Sequence, residues 1–179
     1  MKWRYATTVC FCLLFVSKAA LARDALSFGY GSGTSDVKAY RANWQHAWST
    51  INVTPNNRKL TGYWELAYTY VNANGTYPPP GNNNTQAVSA AAVLRVPYKI
   101  LLQWYIDLGL GGAYFTNSVI ANRNLGSNWV FEDRAGIGIL CGAKKSFEIG
   151  YRFLHFSNAY LAQKNQSLNL HLLILGYWF

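Results

Sequence analysis

The chain has 179 residues and a formal net charge of +9 at pH 7, and it contains 13 Tyr, 9 Phe and 7 Trp against only 13% charged residues. The basic residues are scattered along the chain, which argues against a nucleic-acid-binding protein. After residue 22 no run of 18 apolar residues occurs, so the sequence predicts no membrane-spanning helix.

Residues 1–22 have the pattern of a secretory signal peptide. Lys2 and Arg4 give a positively charged start, TTVCFCLLFV is a short apolar run, and Ala20–Ala22 contains a small-residue cleavage site. We therefore predict a signal peptide at 1–22, removed during Sec-type export, and one domain at 23–179. That domain keeps a single cysteine, Cys141, so neither an internal disulfide nor a cysteine-based metal site is expected.

Eight segments of the domain alternate between apolar and polar residues with a period of two, as in LLQWYIDLGL. The connections also alternate, because NANGTYPPPGNNNT and TNSVIANRNLGS are long whereas PYKI and GAKK are short. Long outer loops and short periplasmic turns are typical of an all-β, eight-stranded antiparallel transmembrane β-barrel of the outer-membrane type. The predicted strands are 26–32, 37–48, 59–72, 86–97, 101–115, 128–141, 146–157 and 167–179.

The polar faces of these strands carry four basic and four acidic residues. A solvated face of a soluble β-sandwich would account for them, but in an eight-stranded barrel the lumen is filled by side chains and buried charges must pair. We therefore expect them to pack the lumen and not to form a site. The residues are Arg41, Arg95, Arg134, Arg152, Glu65, Asp107, Glu132 and Glu148.

His155 and Ser157 share the face of Tyr151 and Phe153 near the outer end of the seventh strand, and Asn169 opens the eighth strand across the loop. On this parity both side chains point towards lipid, where polar groups are costly and are often functional. The alternative is that the strand end lies in the headgroup zone, where both groups would be hydrated.

The segment GYRFLHFSNAYLAQKN, residues 150–165, resembles the lipid A 3-O-deacylase (PagL) family of outer-membrane esterases. YWELAY and WVFEDRAGIGILCG are also similar to segments of that family. The resemblance implies an enzyme of the Gram-negative outer membrane that removes the 3-O-linked acyl chain from lipid A of lipopolysaccharide. The matching residues are Arg152, His155, Ser157, Asn158, Ala159 and Asn165.

The resemblance also implies roles for these residues. Ser157 would be the nucleophile and His155 its base, while Asn158 would lie near the oxyanion with Asn165 in support. Asn169 stands where the family has a glutamate, and an amide can orient an imidazole without supplying a charge.

Three further positions bear on this site. Tyr160 stands where the family commonly has a small residue, which would crowd a backbone oxyanion donor. Asp133 and His171 share the outward parity of His155, but nothing in the sequence brings Asp133 to the outer end of the barrel.

The predicted partner is lipopolysaccharide in the outer leaflet, with no metal, no cofactor and no nucleic acid; monomer and homodimer are both left open. One alternative function is a barrel that has lost its acid and only binds or organises lipopolysaccharide. A second is a small structural or adhesion barrel that acts through the loop NANGTYPPPGNNNT.

Overall fold

The computed structural model describes residues 23–48, 51–52, 59–75, 77, 82–99 and 103–179. The predicted signal peptide and parts of three connections lie outside these ranges. We number the eight long strands β1 to β8; the described part also has two-residue strands at Ile51–Asn52, Val119–Ile120 and Arg123–Asn124, and a 3-10 turn at Ala143–Lys145. The long strands are β1 Asp24–Gly33, β2 Val37–Ala47, β3 Lys59–Ala73, β4 Asn84–Lys99, β5 Gln103–Phe115, β6 Trp129–Cys141, β7 Phe147–Ser157 and β8 Leu168–Trp178.

The eight long strands form one closed antiparallel sheet. Each strand pairs with its neighbour in sequence, β1 also pairs with β8, and this last pairing closes the sheet. The predicted fold class is therefore confirmed, although β1 extends beyond the predicted 26–32 at both ends. Within the described ranges no helix is long and apolar enough to cross a bilayer.

The outer face of the sheet is apolar and rimmed by aromatic rings. Tyr30 and Tyr40 lie near the extracellular ends of β1 and β2, with ring centroids 5.0 Å apart. At the opposite end Phe147 packs edge-on against Tyr177 at 5.3 Å. Aromatic girdles of this kind mark the two membrane interfaces of a transmembrane barrel.

The middle of the lumen holds paired charges, as the sequence predicted. Glu65 accepts hydrogen bonds from Arg41 at 3.2 Å and from Arg152 at 2.9 Å, and Arg134 lies 2.8 Å from it. All four side chains are buried. Glu132 joins the same cluster, and Arg95 forms a second one nearer the periplasm with Asp107 at 2.7 Å and Glu148 at 3.0 Å.

An apolar layer closes the extracellular end of the lumen. Phe115 of β5 and Phe156 of β7 pack edge to face at 5.1 Å, and both are fully buried. Loop residues Ile120 and Leu125 fold over this layer and are also buried. The lumen behind the ends of β7 and β8 is therefore filled by packed side chains. This packing lies directly behind the outward-facing side chains of the same strand ends.

Glu65→Gln should lower the free energy of unfolding by about 3–5 kcal/mol, because it leaves buried arginines short of a negative partner. Urea unfolding in detergent micelles, followed by tryptophan emission, measures this. The exposed Asp36→Asn is the matched acid-to-amide control and should change the value by less than about 0.5 kcal/mol. Equal losses in the two variants would contradict the assignment.

Candidate functional site

The outer end of β7 presents His155 and Ser157 on its outward face because Leu154 and Phe156, which alternate with them, are buried in the lumen. His155 is half-buried and Ser157 is only 9% exposed. The side chains make no direct hydrogen bond to each other in this structure. Nucleophile–base hydrogen bonds often form only once substrate is bound, so their shared face is the informative feature.

Asn169 of β8 lies directly opposite His155 in the β7–β8 register. Its Oδ1 is 2.7 Å from Nδ1 of His155. An amide oxygen can only accept, so Nδ1 donates, and Nε2 of the neutral ring keeps its lone pair for another proton. Thr34 holds Asn169 in place, because its Oγ1 accepts from the Asn169 N–H at 2.8 Å and its own N–H donates to the Asn169 carbonyl at 3.0 Å.

Asp133 of β6 lies opposite His155 on the other side. The structure thus brings this acid to the level of the site, which the sequence reasoning did not find. The signal was present in the short turn after β6. Cys141 pairs with Phe147, and counting eight residues along each strand from that pair reaches Asp133 and His155.

His171, a second outward residue named from the sequence, faces away from this arrangement. Its Nδ1 lies 2.6 Å from the hydroxyl of Tyr151, and the two rings are stacked. The contact of His171 with Tyr151 therefore lies deeper on the outer wall than His155. Within the described ranges no cluster of three or more metal-ligating side chains occurs.

Asn158 and Asn165 meet in the loop that joins β7 to β8. The N–H of Asn158 donates to Oδ1 of Asn165 at 2.8 Å. The side-chain amide of Asn158 donates to the carbonyls of Leu125 and Lys164, both at 2.6 Å. Asn158 therefore braces the loop from a buried position, and its amide hydrogens are both occupied.

The turn after Asn158 exposes two main-chain donors. Ala159 and Tyr160 have φ of 52° and 61°, a left-handed conformation that non-glycine residues seldom adopt. Neither N–H has an acceptor among the described residues. Successive N–H groups in such turns form concavities that bind anions. The Tyr160 side chain is 84% exposed, so it points away from the barrel instead of filling the turn.

A groove of about 560 Å³ runs beside this turn on the outer wall. Phe131, its central β6 residue, is the register partner of both Ser157 and Gly112. A Cβ at Gly112 would meet nothing closer than the Val130 carbonyl oxygen at 3.9 Å, so this glycine leaves the groove open. The lining also includes Trp129, Leu161, Ala162 and Asn158 and is predominantly apolar.

The family model that describes lipid A 3-O-deacylase (PagL) matches residues 38–178, which is most of the chain. The chain belongs to this family. The crystal structure of the outer membrane enzyme PagL superimposes with a TM-score of 0.73 and 28% identity, over 86% of this chain and 98% of that one. The predicted outer-membrane location agrees with that of the family.

Two curated relatives of the PagL family have similar lengths. Lipid A deacylase PagL of Pseudomonas aeruginosa is 29% identical over 153 residues, which span 84% of this chain and 83% of the relative. Lipid A deacylase PagL of Bordetella bronchiseptica is 29% identical over 140 residues, which span 76% of this chain and 70% of the relative.

Asn165→Ala should loosen the β7–β8 loop without unfolding the barrel, because it removes the acceptor of the Asn158 N–H. A lost hydrogen bond of about 1 kcal/mol corresponds to roughly fivefold more open loop. Trypsin cleavage after Lys164 in the folded protein measures this opening. Gln163→Ala, an exposed amide of the same loop, is the control and should cleave at the original rate. Equal cleavage rates in the two variants would show that the hydrogen bond between Asn158 and Asn165 does not hold the loop closed.

Proposed function

We propose that this chain hydrolyses the 3-O-linked acyl ester of lipid A in the outer leaflet, with Ser157 as nucleophile, His155 as base and Asn169 as the group that orients the imidazole. The observation that carries the proposal is the hydrogen bond from Nδ1 of His155 to Oδ1 of Asn169. It selects the tautomer whose Nε2 can accept the serine proton, and Ser157 lies on the same strand face.

In the first half of the reaction the Ser157 oxygen attacks the ester carbonyl while its proton passes to Nε2 of His155. The tetrahedral oxyanion then collapses, the bond to the sugar oxygen breaks, and the imidazolium returns the proton to that oxygen. In the second half a water molecule attacks the acyl-serine with the same help and releases the fatty acid. A positioned base of this kind contributes about 10²–10⁴-fold to the rate.

The turn at Ala159 and Tyr160 suits the oxyanion. Both N–H groups are free among the described residues, and they follow Ser157 closely in the chain. Preorganised donors at such a position are worth about 3–4 kcal/mol of transition-state stabilisation. Asn158 and Asn165 then support the oxyanion indirectly, by fixing the turn from which the donors project.

The surroundings of Ser157 fit a substrate that is itself a membrane lipid. The site opens on the outer wall, and the apolar groove at Phe131 and Gly112 can hold an acyl chain while the ester lies at Ser157.

A barrel that binds lipopolysaccharide without cleaving it is the second candidate, and Asn169 favours it. In a serine hydrolase, replacing the acid by its amide can cost about 10⁴ in turnover. The groove and the wall would still bind lipid.

Ser157→Ala should abolish acyl release, because no other hydroxyl occupies its place. Mass spectrometry of lipid A from cells that express each variant at equal levels detects loss of one 3-linked acyl chain. Ser32→Ala, which removes an exposed outward hydroxyl on β1, is the control and should retain full activity. Unchanged lipid A with the unmodified protein would support the binding function, and activity in Ser157→Ala would exclude this nucleophile.

Gly112→Leu should reduce acyl release about tenfold or more by filling the groove, and its Cβ would meet nothing closer than the Val130 carbonyl oxygen at 3.9 Å. The barrel should stay folded, as judged by the gel mobility of unheated samples. Ala42→Leu enlarges an exposed outward residue of β2, far from the groove, and should leave activity unchanged. Full activity of Gly112→Leu would show that the acyl chain lies elsewhere.

A further inference from the structure

Asp133 is an acid on the outward face of β6. Its outward neighbours on that strand, Phe131, Ala135 and Ile137, are apolar and exposed. A carboxylate on the lipid side of a barrel is costly unless a partner accounts for it.

The register places two residues directly opposite Asp133. Asp133 lies opposite Leu110 on β5 and opposite His155 on β7. A leucine side chain can neither donate a hydrogen bond to a carboxylate nor balance its charge, whereas an imidazole that takes up a proton becomes a cation. Side chains directly opposite on one sheet face have Cβ atoms about 4.5–5.5 Å apart.

The other flank of His155 carries no charge. Asn169 accepts a hydrogen bond from Nδ1, but its neutral amide cannot balance the imidazolium that forms when His155 takes the serine proton. A glutamate in that place would both orient the ring and balance its charge. In this chain residue 169 keeps the orienting contact but carries no charge.

The other titratable or charged groups near His155 do not supply a negative charge. His171 of β8 is engaged with Tyr151 of β7, and Lys164 of the loop is exposed and cationic. The acids Glu132 and Glu65 lie inside the lumen, where they form ion pairs with arginines.

We propose that Asp133 supplies, across the β6–β7 pair, the negative charge that Asn169 lacks, and so stabilises the imidazolium of His155 during the reaction. The inference rests on the proposed function. No hydrogen bond joins the two side chains in this structure, so the effect is electrostatic and acts through space. The Cβ spacing of about 4.5–5.5 Å for such a pair is shorter than the Debye length of about 8 Å at physiological salt, and an adjacent apolar wall lowers the local dielectric constant.

In this proposal Asp133 is a positioning residue, because it acts on the reaction through His155. The effect of replacing Asp133 should therefore depend on which residue stands at position 169. The experiment compares five proteins on purified lipid A in detergent micelles: the unmodified chain, Asp133→Asn, Asp133→Glu, Asn169→Glu, and the Asp133→Asn/Asn169→Glu double variant. The kcat and KM of acyl release are measured for each. The gel mobility of unheated samples checks that each barrel is folded.

Asp133→Asn should lower kcat about tenfold with Asn169 present and leave KM within about twofold, as expected for a charge that acts mainly in the transition state. In the Asn169→Glu background the same change should lower kcat less than about twofold, because the glutamate already balances the imidazolium. Asp133→Glu should restore most of the rate, since it keeps the charge.

Three results would overturn the proposal while leaving the hydrolase intact. These are an equal loss of kcat in both backgrounds, a rise in KM with unchanged kcat, which would make Asp133 a substrate contact, and full activity of Asp133→Asn. If the unmodified chain, folded and pure, releases no fatty acid, the proposed function and this inference fail together.

Discussion

The register of β7 against its two neighbours is the constraint on which the site depends. Leu154 and Phe156 of β7 and Leu168 and Leu170 of β8 are fully buried in the apolar layer of the lumen. A slip of one residue would turn these side chains outwards and carry His155 into the lumen, because the side-chain period of a strand is two. The inner packing therefore fixes which polar groups meet on the outer wall.

The paired side chains of the lumen serve the structure of the barrel, whereas the candidate functional groups lie on the outer wall. The lumen pairs its charges: Arg95 lies between Asp107 and Glu148, and Glu65 is shared by Arg41, Arg134 and Arg152. Side chains built on regular strands and held by packing keep the narrow geometry that catalysis needs. The substrate of this family is a lipid of the membrane, and Asp133, His155 and Ser157 face that side of the barrel.

Period-two alternation was sufficient to predict the barrel, its eight strands and the pairing of the lumen charges, because each of these follows from which face a residue occupies. The outward face of His155 and Ser157 followed in the same way. Asp133 could not be placed by parity alone, because parity gives the face and only the register with β7 gives the height. The loop was beyond sequence reasoning for another reason. Asn158 binds carbonyls of Leu125 and Lys164, and contacts between two loops leave no periodic trace.

Asn169 also changes how the imidazole is controlled. Both oxygens of a carboxylate are acceptors, so Nδ1 of the histidine always carries the proton towards it. An amide can also turn its NH2 group towards Nδ1, and it then donates a hydrogen bond. That orientation selects the other tautomer of the imidazole, in which Nε2 carries the proton. In that state His155 could not accept a proton from Ser157. In this structure Oδ1 of Asn169 faces Nδ1, which is the orientation that the proposed mechanism requires. A ring protonated on both nitrogens, as the proposed mechanism forms it, can bond only the oxygen of Asn169. In the proposed mechanism, the negative charge of Asp133 and the amide oxygen of Asn169 therefore act on the same protonated ring from opposite flanks.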